Sequence, residues 1–163
     1  MVQSGNPFVV ILIVLTAVGS GIVSGAFFAF STFAMRGIRT LDTPAAIRAM
    51  QSVNVAAVRP PLMIALFGTG LLSIVVIIVG LTGLGRPAGW PLLLAGLLYL
   101  IGNPVLTIIY NVPRNTMLAA ADPDALDAAA VWDRYVREWV PANTVRTITA
   151  ALAVALLIIA LAV

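Results

Sequence analysis

The chain has 163 residues, 61% of them hydrophobic and only 9% charged, with a formal net charge of +3 and a mean hydropathy of +1.09. A soluble domain is about 25% charged, so this is the composition of a membrane protein. Histidine, cysteine and lysine are all absent, which excludes Ser–His triads, thiol nucleophiles, Schiff bases, histidine-held haem and the common zinc and copper sites.

The first apolar run extends from Pro7 to Met35. No basic residue precedes it and it is too long for the core of a cleavable signal, so it reads as a true span. It carries Thr16, Ser20 and Ser24, then Ser31 and Thr32 at its far end. Ala17, Gly21, Gly25 and Ala29 make a ridge of small residues for helix packing, within the chain or across a homo-oligomer. Thr43-Pro44 follows as an N-cap with proline at the first helical position. It predicts an amphipathic helix to about Val58, with Ile47, Met50, Val53, Asn54 and Ala57 on one face. The second span, Pro61 to Gly83, opens at Arg59-Pro60-Pro61 and ends in a tight turn at Leu84–Gly89.

The third span, Trp90 to Asn111, carries a polar stripe: Tyr99, Asn103, Thr107, Tyr110 and Arg114, with Asn111 alongside. Spacings of about three to four place these on one helix face. Pro104 interrupts the stripe, removing an N–H and freeing the carbonyl of Leu100. Asp122-Pro123 then predicts a second amphipathic helix to about Val140, with Trp132, Tyr135, Val136, Trp139 and Val140 as its apolar face. Both amphipathic helices are expected to lie along the membrane surface or to cap the bundle. The fourth span runs from Asn143 to Val163. Arg48 to Asn54 and Arg137 to Asn143 share a short pattern just before a span, a weak sign of duplicated hairpins.

Each run is long enough to cross a hydrocarbon core, which takes about 20 helical residues. Continuous apolarity points to helices rather than a barrel. The expected fold is therefore an all-α membrane protein: one integral domain over residues 1–163, a four-transmembrane-helix bundle with two amphipathic interfacial helices on the cytoplasmic side. All nine basic residues are arginines. Arg36, Arg39, Arg48 and Arg59 lie between the first two spans, and Arg114, Arg134, Arg137 and Arg146 between the last two, leaving only Arg86 elsewhere. By the positive-inside bias both termini are expected outside the cytoplasm of a multi-pass inner-membrane protein. Arginines dispersed at span ends suit anionic headgroups, not nucleic acid.

Polar groups inside lipid must face the bundle or a cavity, and under this topology most gather at the cytoplasmic end. Arg59 and Arg146 each open a span beside inward-facing asparagines. Asn103, Thr107 and Asn111, with Asn143 and Arg146, read either as interhelical hydrogen bonding or as a ligand pocket. No carboxylate lies within a span, which argues against a transmembrane proton relay.

Four pieces in order resemble the anthrone oxygenase family, a group of small four-span membrane proteins. They are Ser24-Gly25-Ala26-Phe27-Phe28-Ala29-Phe30-Ser31-Thr32-Phe33; Asn54 with Ala57-Val58-Arg59-Pro60-Pro61; Tyr110-Asn111-Val112-Pro113-Arg114-Asn115; and Trp139 with Asn143 and Val145-Arg146-Thr147. The resemblance covers nearly the whole chain. It implies oxygenation of a flat, lipid-soluble polycyclic phenol with no dedicated cofactor or metal. The protein would position the substrate and stabilise its anion. Arg146, Asn143, Arg59 and Asn111 are the candidates for that role, with Glu138 or Tyr110 as base. Asn54, Asn103, Thr107, Tyr110, Arg114 and Trp139 are candidates for substrate contact. The chain departs from the family pattern at Thr144, where a histidine often follows the asparagine. The competing reading is a non-catalytic membrane module that binds a lipid, a quinone or a partner protein.

Overall fold

The computed structural model describes residues 6–163. Its described residues form five helices: α1 (Pro7–Ile38), α2 (Thr43–Ala57), α3 (Pro60–Thr82), α4 (Gly89–Ala119) and α5 (Ala128–Ala162). All but α2 are long and apolar enough to cross a membrane. They run up and down, so that α1 packs on α5, α5 on α4, α4 on α3, and α3 back on α1. One end of the bundle holds the α3–α4 turn. The other, the arginine-rich end, holds α2 and both long connections. Outward-facing residues such as Ile11, Ile22, Leu71, Ile78, Ile108 and Ile158 are exposed and apolar, a surface matched to lipid.

Asn6 begins α1, its side-chain oxygen accepting the N–H of Phe8 at 3.0 Å. The start of α2 differs by one residue from expectation. Asp42, not Thr43, is the cap, and its carboxylate accepts the N–H of Ala45. A carboxylate there also meets the positive end of the helix. The helix stops at Val58-Arg59, where Arg59 is extended (φ −74°, ψ 157°). Two successive prolines force this, since a residue before proline avoids the helical region and neither ring can donate to the ladder.

The second amphipathic segment departs from expectation. Asp122 does not cap a helix: its Oδ1 accepts the N–H of Asp124 at 3.0 Å, closing a local turn, and α5 begins only at Ala128. Nor is the segment separate from the fourth span, because α5 runs unbroken through Pro141 to Ala162. A single proline leaves one carbonyl unpaired on an exposed face, a cost a long, well-packed membrane helix absorbs. Its aromatic face is turned into the protein. Trp132, Tyr135 and Trp139 stack at 5.8 and 6.0 Å and are buried against Met35, Ile47, Met50 and Leu118.

Two apolar cores result. The spanning core joins Ile13, Val76, Leu92, Ala95, Ala153 and Leu157, and the second lies under α2 at the arginine-rich end. The spanning core is close-packed at glycines: a Cβ on Gly80 would lie 2.5 Å from the backbone nitrogen of Leu93, and one on Gly96 2.8 Å from the carbonyl of Ser73. Of the expected Ala17–Ala29 ridge, Ala17 packs against the spanning core, but the glycines make no close approach within the chain. Gly21 and Gly25 are exposed, with nothing within 4 Å of the place a Cβ would occupy.

The helices are not regular throughout. Wide, π-type turns replace α-helical ones at Phe30–Ala34 in α1, Ile64–Gly68 in α3, and Ile101–Val105 and Thr107–Asn111 in α4. The first stretch of α4 contains Pro104, whose missing N–H cannot serve the ladder. Two others adjoin or contain carbonyls drawn into tertiary bonds. Phe27 O accepts the amide of Asn143 at 2.7 Å, and Leu66 O accepts the hydroxyl of Tyr99 at 3.2 Å. Such turns recur at functional sites in helical proteins.

Candidate functional site

Asn143 sits three residues before Arg146 on α5, so both side chains emerge on one face of the helix. The Asn143 amide donates to Phe27 O at 2.7 Å and to Ser31 Oγ at 2.7 Å, both on α1. That leaves its oxygen facing Arg146, whose Nη2 donates to it at 2.6 Å. Arg146 Nη1 donates to Thr107 Oγ1 on α4 at 2.9 Å. The guanidinium lies over the Phe27 ring at 3.8 Å and 5.7 Å from the ring centre of Trp139. Three helices thus fix one cation, which is only 4% exposed.

No carboxylate answers that charge. Among the described residues the ion pairs are Arg48–Asp124, Arg114–Glu138 and Arg134–Glu138. A desolvated cation costs several kcal/mol unless it is paired; the Phe27 face offsets about 2 kcal/mol of this. Arg146 Nε has no hydrogen-bond partner, and neither does the indole nitrogen of Trp139.

Both residues line a cavity of about 140 Å³ at the arginine-rich end. Its other walls are mostly apolar: Phe27 and Phe30 from α1, Met50 and Val53 from α2, Leu66 and Phe67 from α3. Asn54, Thr107 and Asn115 add polar edges, and the lining contains no carboxylate. Asn54 is held by Tyr135, whose hydroxyl accepts from Asn54 Nδ2 at 3.5 Å and donates to Asn115 Oδ1 at 3.0 Å. Helix α2 closes over this end. Gln51 donates to the carbonyls of Leu118 and Ala121, and Arg48 pairs with Asp124.

The sequence candidates therefore separate. Arg146, Asn143, Thr107, Trp139 and Asn54 come together on or directly behind the cavity wall. Asn111 is buried with both amide atoms unpartnered, but it is not part of the lining. Asn103 lies further from the arginine-rich end of α4, bonded to Thr149 Oγ1 at 3.2 Å, and the preceding Gly102 leaves no room for a side chain beside Thr149. Tyr110 and Arg114 stack on each other at 3.5 Å, and Arg114 Nε donates to Glu138 at 3.0 Å in a separate open groove. Arg59 is exposed and makes no side-chain hydrogen bond among the described residues. Glu138, ahead of the apolar stretch of α5, is held below the usual carboxylate range by hydrogen bonds from Arg134 and Arg114. It is therefore a weak base, and Tyr110 is likewise absent from the cavity lining.

Sequence reasoning passed over Phe27 and Ser31 as site residues. Phe27 supplies both the ring under the guanidinium and the carbonyl that orients Asn143. Thr144, at the position of the departure from the family pattern, bonds to Ser31 Oγ at 3.1 Å and to Val140 O. It thus joins the shell behind Asn143.

These features define a class: a multi-pass, all-helical membrane protein with a buried arginine on the wall of an apolar cavity. The family model for anthrone oxygenase matches residues 9–156, and the chain belongs to that family. No curated protein and no solved structure matches it.

Proposed function

We propose that the protein is an oxygenase for a lipid-soluble polycyclic phenol of the anthrone kind, working without a resident cofactor. The carrying observation is the buried guanidinium of Arg146, unmatched by any carboxylate, on the wall of an otherwise apolar cavity. An anthrone that loses a proton from its CH₂ carbon becomes an enolate, its charge on the ring oxygen. Arg146 stabilises that oxygen in a water-poor site, where fixed donors act most strongly. The carbon then adds O₂ to give a hydroperoxide, and loss of water leaves the second carbonyl. One substrate and one O₂ thus yield one quinone and one water. With no carboxylate in the cavity lining, the substrate proton passes to water as the anion forms against Arg146.

Asn143 acts through Arg146, holding it by way of α1. Met50, Val53, Phe30 and Phe67 supply the apolar walls that favour a flat ring body. The arginine distribution supports an orientation with both termini outside the cytoplasm, in the inner membrane. Because the chain has no cysteine, single cysteines introduced at Thr40 and Arg86 would report it directly. A membrane-impermeant thiol reagent should label only the second in intact cells.

The test is oxygen uptake and quinone formation by membranes carrying the protein, over a panel of anthrones and hydroquinones. Arg146→Met should abolish the activity. Wild-type membranes no faster than empty ones would remove the oxygenase reading. Saturable binding without turnover would instead favour the non-catalytic ligand-binding module.

A further inference from the structure

We infer that Arg146 and Trp139 together form a two-donor seat for a single anionic oxygen, so that the cavity takes its ligand as an aryl-oxide monoanion. The inference deepens the reading of the cavity given above and rests on it. Both side chains line the cavity, both are at least nine-tenths buried, and each carries a nitrogen with no hydrogen-bond partner: Nε of Arg146 and Nε1 of Trp139. Buried donors are almost always satisfied, so two orphans on one cavity wall mark a place where something else accepts. The terminal nitrogens of the guanidinium are already committed, Nη1 to Thr107 and Nη2 to Asn143. What remains wholly unpartnered is one nitrogen on each residue, Nε of Arg146 and Nε1 of Trp139.

Two unpartnered nitrogens in a mostly apolar lining favour one oxygen over two. A carboxylate brings two oxygens and about four acceptor sites, and it is best met by a bidentate guanidinium edge, which Thr107 and Asn143 already occupy in part. A phenolate or enolate brings one charged oxygen on a flat apolar body, matched to one unpartnered nitrogen from each of two neighbouring residues and to walls from Phe30, Met50 and Leu66. A neutral phenol would leave the cation uncompensated. Trp139 is thereby a ligand-binding residue through its N–H, beyond the apolar contact its ring provides. Its ring is fixed edge-on by Phe30 at 6.2 Å and by the Tyr135 stack.

The test needs no turnover. 2-Hydroxyanthraquinone has differently coloured neutral and ionised forms and is not consumed by oxygen. It would be titrated with pH in lipid nanodiscs holding the full chain, against empty nanodiscs. The protein should favour the ionised dye by about tenfold or more, a downward shift of about one pH unit or more. Trp139→Phe keeps the ring and removes the N–H, and should lower that preference by about threefold or more. Arg146→Met should abolish it. Absence of saturable binding, an unshifted titration, or a full shift in Trp139→Phe would each overturn the proposal. A shifted dye in protein that turns over no anthrone would retire the oxygenase and keep the anion seat. Turnover with an unshifted dye would do the reverse.

Discussion

The two halves of the bundle are built from the same four spanning helices by opposite means. In the half nearest the α3–α4 turn the helices are regular, and glycines let backbones meet: Gly80 faces the Leu93 backbone, Gly89 faces Gly83, and Gly96 faces Ser73 and Ile77. Towards the arginine-rich end and mid-span the ladders of α1, α3 and α4 widen into π-type turns. Carbonyls there are drawn out to side chains, and a cavity opens around a buried cation. A close-packed helix pair has no spare donors or acceptors, so it can be stable but cannot bind a polar group. The irregular half gives up local regularity to hold polar atoms in fixed directions. Under the proposed function, the difference separates the half that acts from the half that holds the bundle together.

The contrast can be tested by substitution. The largest effect should come from Arg146→Met, which removes the cation but keeps a long, unbranched side chain. Turnover in membranes should fall by about 100-fold or more, with the protein still inserted. A loss under tenfold would show that the cavity does not depend on the charge. Next, Gly80→Ala should lower stability by about 2 kcal/mol, because the new Cβ meets backbone that cannot yield. Thermal denaturation in detergent reads this, and activity per folded molecule should be unchanged.

A smaller effect is expected from Pro104→Ala, which restores an N–H and lets α4 return towards regular α-helix. Activity should drop by up to about tenfold with stability equal or higher, consistent with strain retained for geometry. Equal activity would separate the wide turns from function. The smallest change should follow Arg59→Gln, an exposed span-end anchor: stability should move by no more than about 0.5 kcal/mol, and turnover by less than a factor of two. A large loss there would place Arg59 in the site after all.

The spans were legible because lipid demands a continuous apolar helix, and four such runs leave little freedom. The polar end was legible for the same reason. The distinction between Arg59 and Arg146 was not. Each precedes or begins an apolar run near an asparagine, and the sequence gives them equal standing. Arg59 stands before Pro60-Pro61, so its backbone is extended and the side chain is exposed. Arg146 lies well inside α5, because Pro141 does not end that helix. A lone proline and a pair thus act oppositely, and only the flanking context decides which. The acceptors that orient Asn143, Phe27 O and Ser31 Oγ, lie more than a hundred residues away along the chain. One of them is a backbone atom, which no residue type announces.

The unbroken course of α5 has a consequence for how a substrate arrives. The helix continues for about 24 Å beyond Arg146 before it ends at Ala162. The hydrocarbon core is about 30 Å thick. With the α3–α4 turn, whose Ala88 shares the spanning core with Ala160 of α5, at the opposite interface, the guanidinium would sit close to the level where acyl chains give way to headgroups. An aromatic alcohol dissolved in a bilayer already floats with its hydroxyl at that depth and its rings among the chains. Under the proposed function, capture would be a sideways glide at constant depth, with no oxygen dragged through hydrocarbon. The membrane itself would perform the first round of selection, presenting molecules of the right polarity in the right pose before the protein touches them.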